Sequence, residues 1–207
     1  MTRLMRAREL IGMAVVTLDG DDIADVKDVV FDGDTGHVRG FTLNGRGLLA
    51  GPLDKGLPAG AVSGVGRDAV MAESPSATVA LEDIVPRART RDSDVLGDHV
   101  LTETGTDLGA VADVILEVAP GGVADVVGYE IVSSAALYPD GRHVLLPLPH
   151  TVAASGEAVV VPSEAVRFVR HDLSEFASAI TAFRHRREEE REEGDSRGQG
   201  GGGDAVQ

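Results

Sequence analysis

Aspartate is the residue that most invites a chemical reading of this chain. Residues 20–40 read GDDIADVKDVVFDGDTGHVRG, and within them Asp32-Gly33-Asp34-Thr35-Gly36 opens like a calcium loop of the form D-x-D-x-[DN]-G. The fifth position is Gly36 and the sixth is His37, so a ligand and the glycine of the sharp turn are both missing. The pattern therefore predicts a turn from Asp32 to Gly36 capped by aspartate side chains, with no metal. Asp28 recurs 85 residues later as Asp113, which makes the two a candidate carboxylate pair for general acid and base chemistry. That chemistry needs both groups in one cleft. Here each falls in a separate copy of a repeat, so the expectation is structural: an aspartate accepting backbone N–H bonds at a bend.

Other constellations are weaker. His37, His99, His143, His150, His171 and His185 show no H-x-x-x-H spacing. Ser133, Ser134 and Ser155 lack a G-x-S-x-G elbow. The glycine-rich GRGLLAG of residues 45–51 has no following Lys-Ser or Lys-Thr pair to cradle phosphate. The absence of cysteine excludes disulfides, thiolate catalysis and Cys-based zinc or iron–sulfur sites. No catalytic residue, metal or cofactor is expected.

The elements behind these residues come in duplicate. IGMAVVTLDGDDIADVKDVVFD (11–32) aligns without a gap on LGDHVLTETGTDLGAVADVILE (96–117), matching Gly12 with Gly97, Gly20 with Gly105 and Asp28 with Asp113. After a three-residue insertion, GFTL (40–43) meets GYEI (128–131), and RDAVMA (67–72) resembles GEAVVV (156–161). Two copies of a small unit fit better than one large domain. Each copy reads as short Val-rich strands separated by turn signals, which indicates a barrel or sandwich. Closing the sheet would remove its exposed edges, so a small closed barrel is expected. Asn44-Gly45 suits a type I′ hairpin, PDG (139–141) marks the corresponding bend in the second copy, and Val79 to Val85 is a possible strand.

After Pro162 the pattern changes. Val166, Val169, Leu173, Phe176, Ile180 and Phe183 are spaced 3, 4, 3, 4, 3, the seam of an amphipathic helix. Asp172 with Glu175 is alternatively a capping box that starts the helix there. The seam packs onto a barrel or meets another chain, and Leu173, Phe176, Ile180 and Phe183 are the candidate partner-binding residues. The charged run RHRREEEREE leads into a Gly-rich end expected to be disordered from residue 194.

The composition narrows the partners. A formal net charge of −15, no Trp, and only two Tyr and five Phe leave few rings for stacking and a field that repels phosphates within a Debye length of about 8 Å. Residues 184–207 carry five Arg and seven Asp or Glu, so the acidity belongs to the folded body. Direct binding to nucleic acid or to an anionic membrane is not expected. No segment approaches the roughly 20 apolar residues of a membrane span, and the N-terminus makes a poor signal peptide, so the expectation is a cytoplasmic protein without a transmembrane segment.

The order LIGMAVVTLDGDDIADVKDVVFDGDTGHVRGFTL, then a Leu-Pro segment, then VGRDAVMA, resembles the PRC-barrel domain, the small β-barrel shared by the photosynthetic reaction-centre H subunit and a ribosome maturation factor. The family positions fall on Gly12, Gly20, Asp28 and Asp32 to Gly36. The resemblance implies an all-β protein of two small PRC-type β-barrels in tandem, with a C-terminal amphipathic α-helix and a disordered tail. Its units would be barrel 1 (1–75), a linker (76–92), barrel 2 (93–165), the helix (166–193) and the tail (194–207). It further implies a docking or assembly module without catalytic residues, hence a scaffold or adaptor that binds a protein partner or itself. The alternatives are a ribosome-assembly or RNA-processing factor working through a basic ribosomal protein, and an enzyme or small-ligand barrel with a pocket between its units.

Overall fold

Val-rich segments bounded by glycine turns form the strands, as their β-branched side chains favour. The computed structural model describes residues 2–32, 35–47, 50–85, 90–91, 95–148, 153–154 and 158–198. In chain order the strands are β1 (Arg3–Arg6), β2 (Ala14–Thr17), β3 (Asp22–Phe31), β4 (Val38–Asn44), β5 (Pro52–Pro58), β6 (Val62–Val65), β7 (Ala69–Ala72) and β8 (Val79–Ala80). The second copy supplies β9 (Thr90–Arg91), β10 (His99–Thr102), β11 (Asp107–Ala119), β12 (Gly122–Ser133), β13 (His143–Pro147), β14 (Ala153–Ala154) and β15 (Ala158–Val161). Helix α1 (Leu81–Ile84) is one turn, and α2 (Leu173–Gly198) is the long C-terminal helix.

Two sheets result, with matching order. The first runs β6-β7-β2-β3-β4-β5-β8 and the second β14-β15-β10-β11-β12-β13. Both contain one parallel pair at the same place, β2 with β7 and β10 with β15. Gly12 and Gly97 turn at φ 82° and 90°, and Gly20 and Gly105 at 92° and 81°, so the turns repeat with the strands.

The N-terminal strands are exchanged. β1 pairs antiparallel with β11 of the other copy, Met5 opposite Leu116 and Arg6 opposite Ile115. β9 pairs reciprocally with β3, Thr90 opposite Phe31 and Arg91 opposite Val30. At the offset of 85 these are the same pairs. A second sign of internal two-fold symmetry is the bridge between His37 and Asp125, positions that correspond once the three-residue insertion is counted. A position that meets its own equivalent lies on the axis. Residues 3–6 thus belong to the second sheet and 90–91 to the first, so the two units share strands.

The exchange explains the main departure from expectation. Among the described residues neither sheet closes: the outermost strands, β6 and β8 in one and β14 and β13 in the other, do not pair. Burial comes instead from packing the halves together, since one apolar cluster holds Val15, Val29, Phe41 and Leu57 of the first copy with Val100, Val114, Tyr129 and Leu146 of the second.

Smaller differences are local. Asn44 and Gly45 do not form a two-residue turn; Gly45 N–H donates to the Gly51 carbonyl at 2.9 Å and Asn44 pairs with Pro52, closing a longer loop. The possible strand at Val79 to Val85 is two residues of strand followed by α1. Residues Ser163–Phe168 form a 3-10 helix, and α2 begins at Leu173, where Asp172 Oδ1 accepts the Glu175 N–H at 2.9 Å. The helix is described to Gly198, and residues 199–207 of the expected tail lie outside the described ones.

Gly36 shows how tight the seam between the halves is. It has φ 74°, its carbonyl accepts the Val126 N–H at 2.7 Å, and a Cβ there would stand 2.6 Å from the Val126 oxygen. At Gly12 a Cβ would meet nothing within 4 Å. Gly36→Ala therefore combines left-handed strain with a backbone clash and is expected to cost about 2–3 kcal/mol, against about 1 kcal/mol for Gly12→Ala, as read by urea denaturation.

Candidate functional site

The most concentrated chemistry lies where β1 crosses onto β11. In both copies a β-bulge precedes the repeated aspartate, between Val26 and Asp28 in β3 and between Val111 and Asp113 in β11. A bulge re-aims the side chain that follows it, and both aspartates end up buried. Asp113 Oδ1 accepts the Val114 N–H at 2.8 Å and the Arg8 N–H at 3.3 Å. Asp28 Oδ2 accepts the Thr42 hydroxyl at 2.9 Å and lies 3.5 Å from Lys27 Nζ. The two aspartates therefore take separate partners, one set in each sheet.

Directly across from Asp113 stands Glu130, as Thr42 stands across from Asp28. Like charges opposite each other on adjacent strands repel, and Glu130 is only 4% exposed. The exchanged N-terminal segment neutralises them. Arg6 Nε donates to Glu130 Oε2 at 2.5 Å, Arg8 Nη2 lies 3.4 Å from the same oxygen, and Arg8 Nε lies 3.2 Å from Asp113 Oδ2. His143 Nδ1 approaches Glu130 Oε1 at 3.2 Å. Asp113 Oδ2 faces Arg8 without an aligned hydrogen bond.

The two carboxyls titrate in opposite directions. Burial pushes Asp113 up, and the Val114 and Arg8 N–H bonds and the Arg8 charge offset only part of it. Burial also works to raise Glu130, but the Arg6 hydrogen bond and the charges of Arg6, Arg8 and His143 outweigh it and hold that carboxyl below its ordinary range. Arg6 is raised in turn, first by its hydrogen bond to Glu130. Paired carboxyls with divergent pKa values can serve as acid and base, yet both of these are buried and engaged by protein groups. Their chemistry is that of a latch joining β1 and the segment after it to the second sheet.

The predicted turn from Asp32 to Gly36 holds at its described ends: Gly36 N–H donates to the Asp32 carbonyl at 2.7 Å and Thr35 N–H to Asp32 Oδ1 at 3.3 Å. Gly33 and Asp34 lie outside the described residues. Among the described residues no group of three or more His, Asp or Glu is placed to hold a metal ion. Phe176, Ile180 and Phe183 are buried and Leu173 partly so. They pack on the chain's own Ile115, Val127 and Leu145 or, for Phe183, on Phe168 at 5.1 Å between ring centroids. The helix seam is therefore occupied within the chain. Among the described residues the large apolar side chains left exposed are Ile11, Leu18, Leu96 and Val132, of which Ile11 and Leu96 are equivalent positions of the two copies.

Sequence reasoning singled out Asp113 but not Arg6, Arg8, Glu130 or His143. The available signal was Glu130 inside the apolar strand GYEIV, a charge that a buried sheet tolerates only with a partner.

Among the described residues no helix is long and apolar enough to cross a membrane. Compared with known families, the chain matches the PRC-barrel domain twice, over residues 3–79 and 89–167. None of the curated proteins matches it.

Proposed function

The chain belongs to the PRC-barrel family, with two such domains in tandem, and on that premise we propose that it is a non-catalytic scaffold or adaptor that binds another protein in the cytoplasm. The observation that carries this reading is the repeated exposed apolar position, Ile11 at 39% and Leu96 at 47%, joined by Leu18 at 64%. The buried charges, in contrast, are consumed by the chain's own contacts. A net charge of −15 favours a basic partner surface, and a ribosomal protein is one such surface.

Affinity purification of the tagged full chain with mass spectrometry, beside an I11D/L18D/L96D variant, tests the proposal. A specific protein recovered with the native chain and lost with the variant is the expected result. A chain that captures nothing specific and scatters light as a monomer overturns it. Co-sedimentation with ribosomal subunits identifies the ribosomal case.

A further inference from the structure

We propose that Arg8 and Glu130, with Arg6 and Asp113, form a specificity lock that assigns the N-terminal strand to the second sheet and so enforces the strand exchange. The geometry alone leaves two ways to pair the strands. β1 can lie on β11, as observed, or fold back on β3, where the equivalent register puts Leu4 opposite Asp32 instead of Glu117. Side-chain charge distinguishes the two pairings.

Charge balance supplies the choice. In the exchanged form two arginines, Arg6 and Arg8, meet two carboxylates, Asp113 and Glu130. In the other sheet Arg91 is the arginine in the equivalent register; the buried carboxylates there already have cations of their own sheet, Asp28 with Lys27 and Asp32 with Arg39, while Thr42 stands in the place of Glu130 and Ser93 in the sequence place of Arg8. Folded back, β1 would bring two arginines to carboxylates that already have cations and leave buried Asp113 and Glu130 without Arg6 and Arg8. Lys27 and Arg39 stay with the first sheet, and His143 and the Arg184–Glu117 pair with the second, in either pairing. A buried uncompensated charge is far costlier than a surface one.

The full chain has no native cysteine, so introduced pairs report the pairing cleanly. L4C/E117C is expected to form a disulfide and L4C/D32C is not. Moving the arginine with R8S/S93R reverses the balance, and cross-linking is expected to shift toward the 4–32 pair by about tenfold or more. Adding T42E/E130T to R8S/S93R moves the carboxylate as well and is expected to restore the 4–117 pair. An R8S/S93R protein that fails to fold, while the quadruple variant folds with the 4–117 disulfide, supports the lock equally. Undiminished 4–117 cross-linking in R8S/S93R, or a quadruple variant that does not recover it, overturns the proposal.

Discussion

Glu130→Ala is expected to destabilise the fold by about 3 kcal/mol, measured as a shift of the denaturation midpoint at unchanged m-value. The side chain is 6% exposed and joins Arg6, Arg8 and His143. Its removal leaves Arg6, itself only 22% exposed, without the carboxylate that its guanidinium bonds. The figure sits at the lower end for a broken buried pair because Arg8, 57% exposed, can turn to water. The loss concerns more than one sheet: β1 is held to β11 partly by this contact, and the segment from Ala7 onward leads directly into β2 of the other sheet. Loosening the latch therefore exposes both faces of the shared core.

Acid should act through the same group. Glu130 has a folded pKa below its unfolded value, so its contribution is complete above the ordinary glutamate range and is lost as pH falls toward the lowered value. Asp113 has the opposite sign. Its folded pKa is raised, so ionising it opposes folding, and its contribution is best below the ordinary aspartate range and declines as pH rises through the raised value. Asp113→Asn keeps an oxygen for the Val114 and Arg8 N–H groups and relieves the repulsion from Glu130. It is expected to change stability by less than about 1 kcal/mol at pH 7, whereas Asp113→Ala, which strands both donors, costs about 2 kcal/mol. Parallel denaturation series from pH 3 to pH 7 separate the two carboxyls.

Duplication was legible in the sequence because it is written in turn residues. Gly12, Gly20 and their partners at 97 and 105 mark the ends of strands, and Asp28 and Asp113 mark a bulge that recurs in both sheets. The exchange was not legible. β1 and β9 occupy equivalent places in the repeat, and nothing in RLMR or in Thr90-Arg91 says which copy of the long strand each will meet. That information resides in pairs distant along the chain, Arg6 with Glu130 and Arg8 with Asp113. The same holds for closure: alternation of apolar residues marks a buried face, but not whether a curled sheet or a neighbouring half covers it. The helix was legible in period and in its Asp172 cap. Its docking face became clear only from Gly128, where a Cβ would lie 2.6 Å from the Phe176 ring.

Phe176→Ala is expected to cost about 3–4 kcal/mol. The ring is fully buried on the outer face of the second sheet, with Ile115, Val127 and Leu145 beneath it and Ala179 and Ile180 beside it on α2. Gly128 allows that approach, so the backbone already lies close to the ring and has little room to collapse into the space that the ring vacates. Because α2 is attached through one short seam, part of the loss should appear as local detachment. Amide exchange in residues 173–183 is then expected to quicken more than exchange in β2 to β4 of the first sheet. Equal acceleration everywhere would show that the helix and both sheets unfold as one unit, which the shared apolar core between the halves also permits. The two outcomes distinguish a helix that merely covers the second sheet from one that is required for the whole fold.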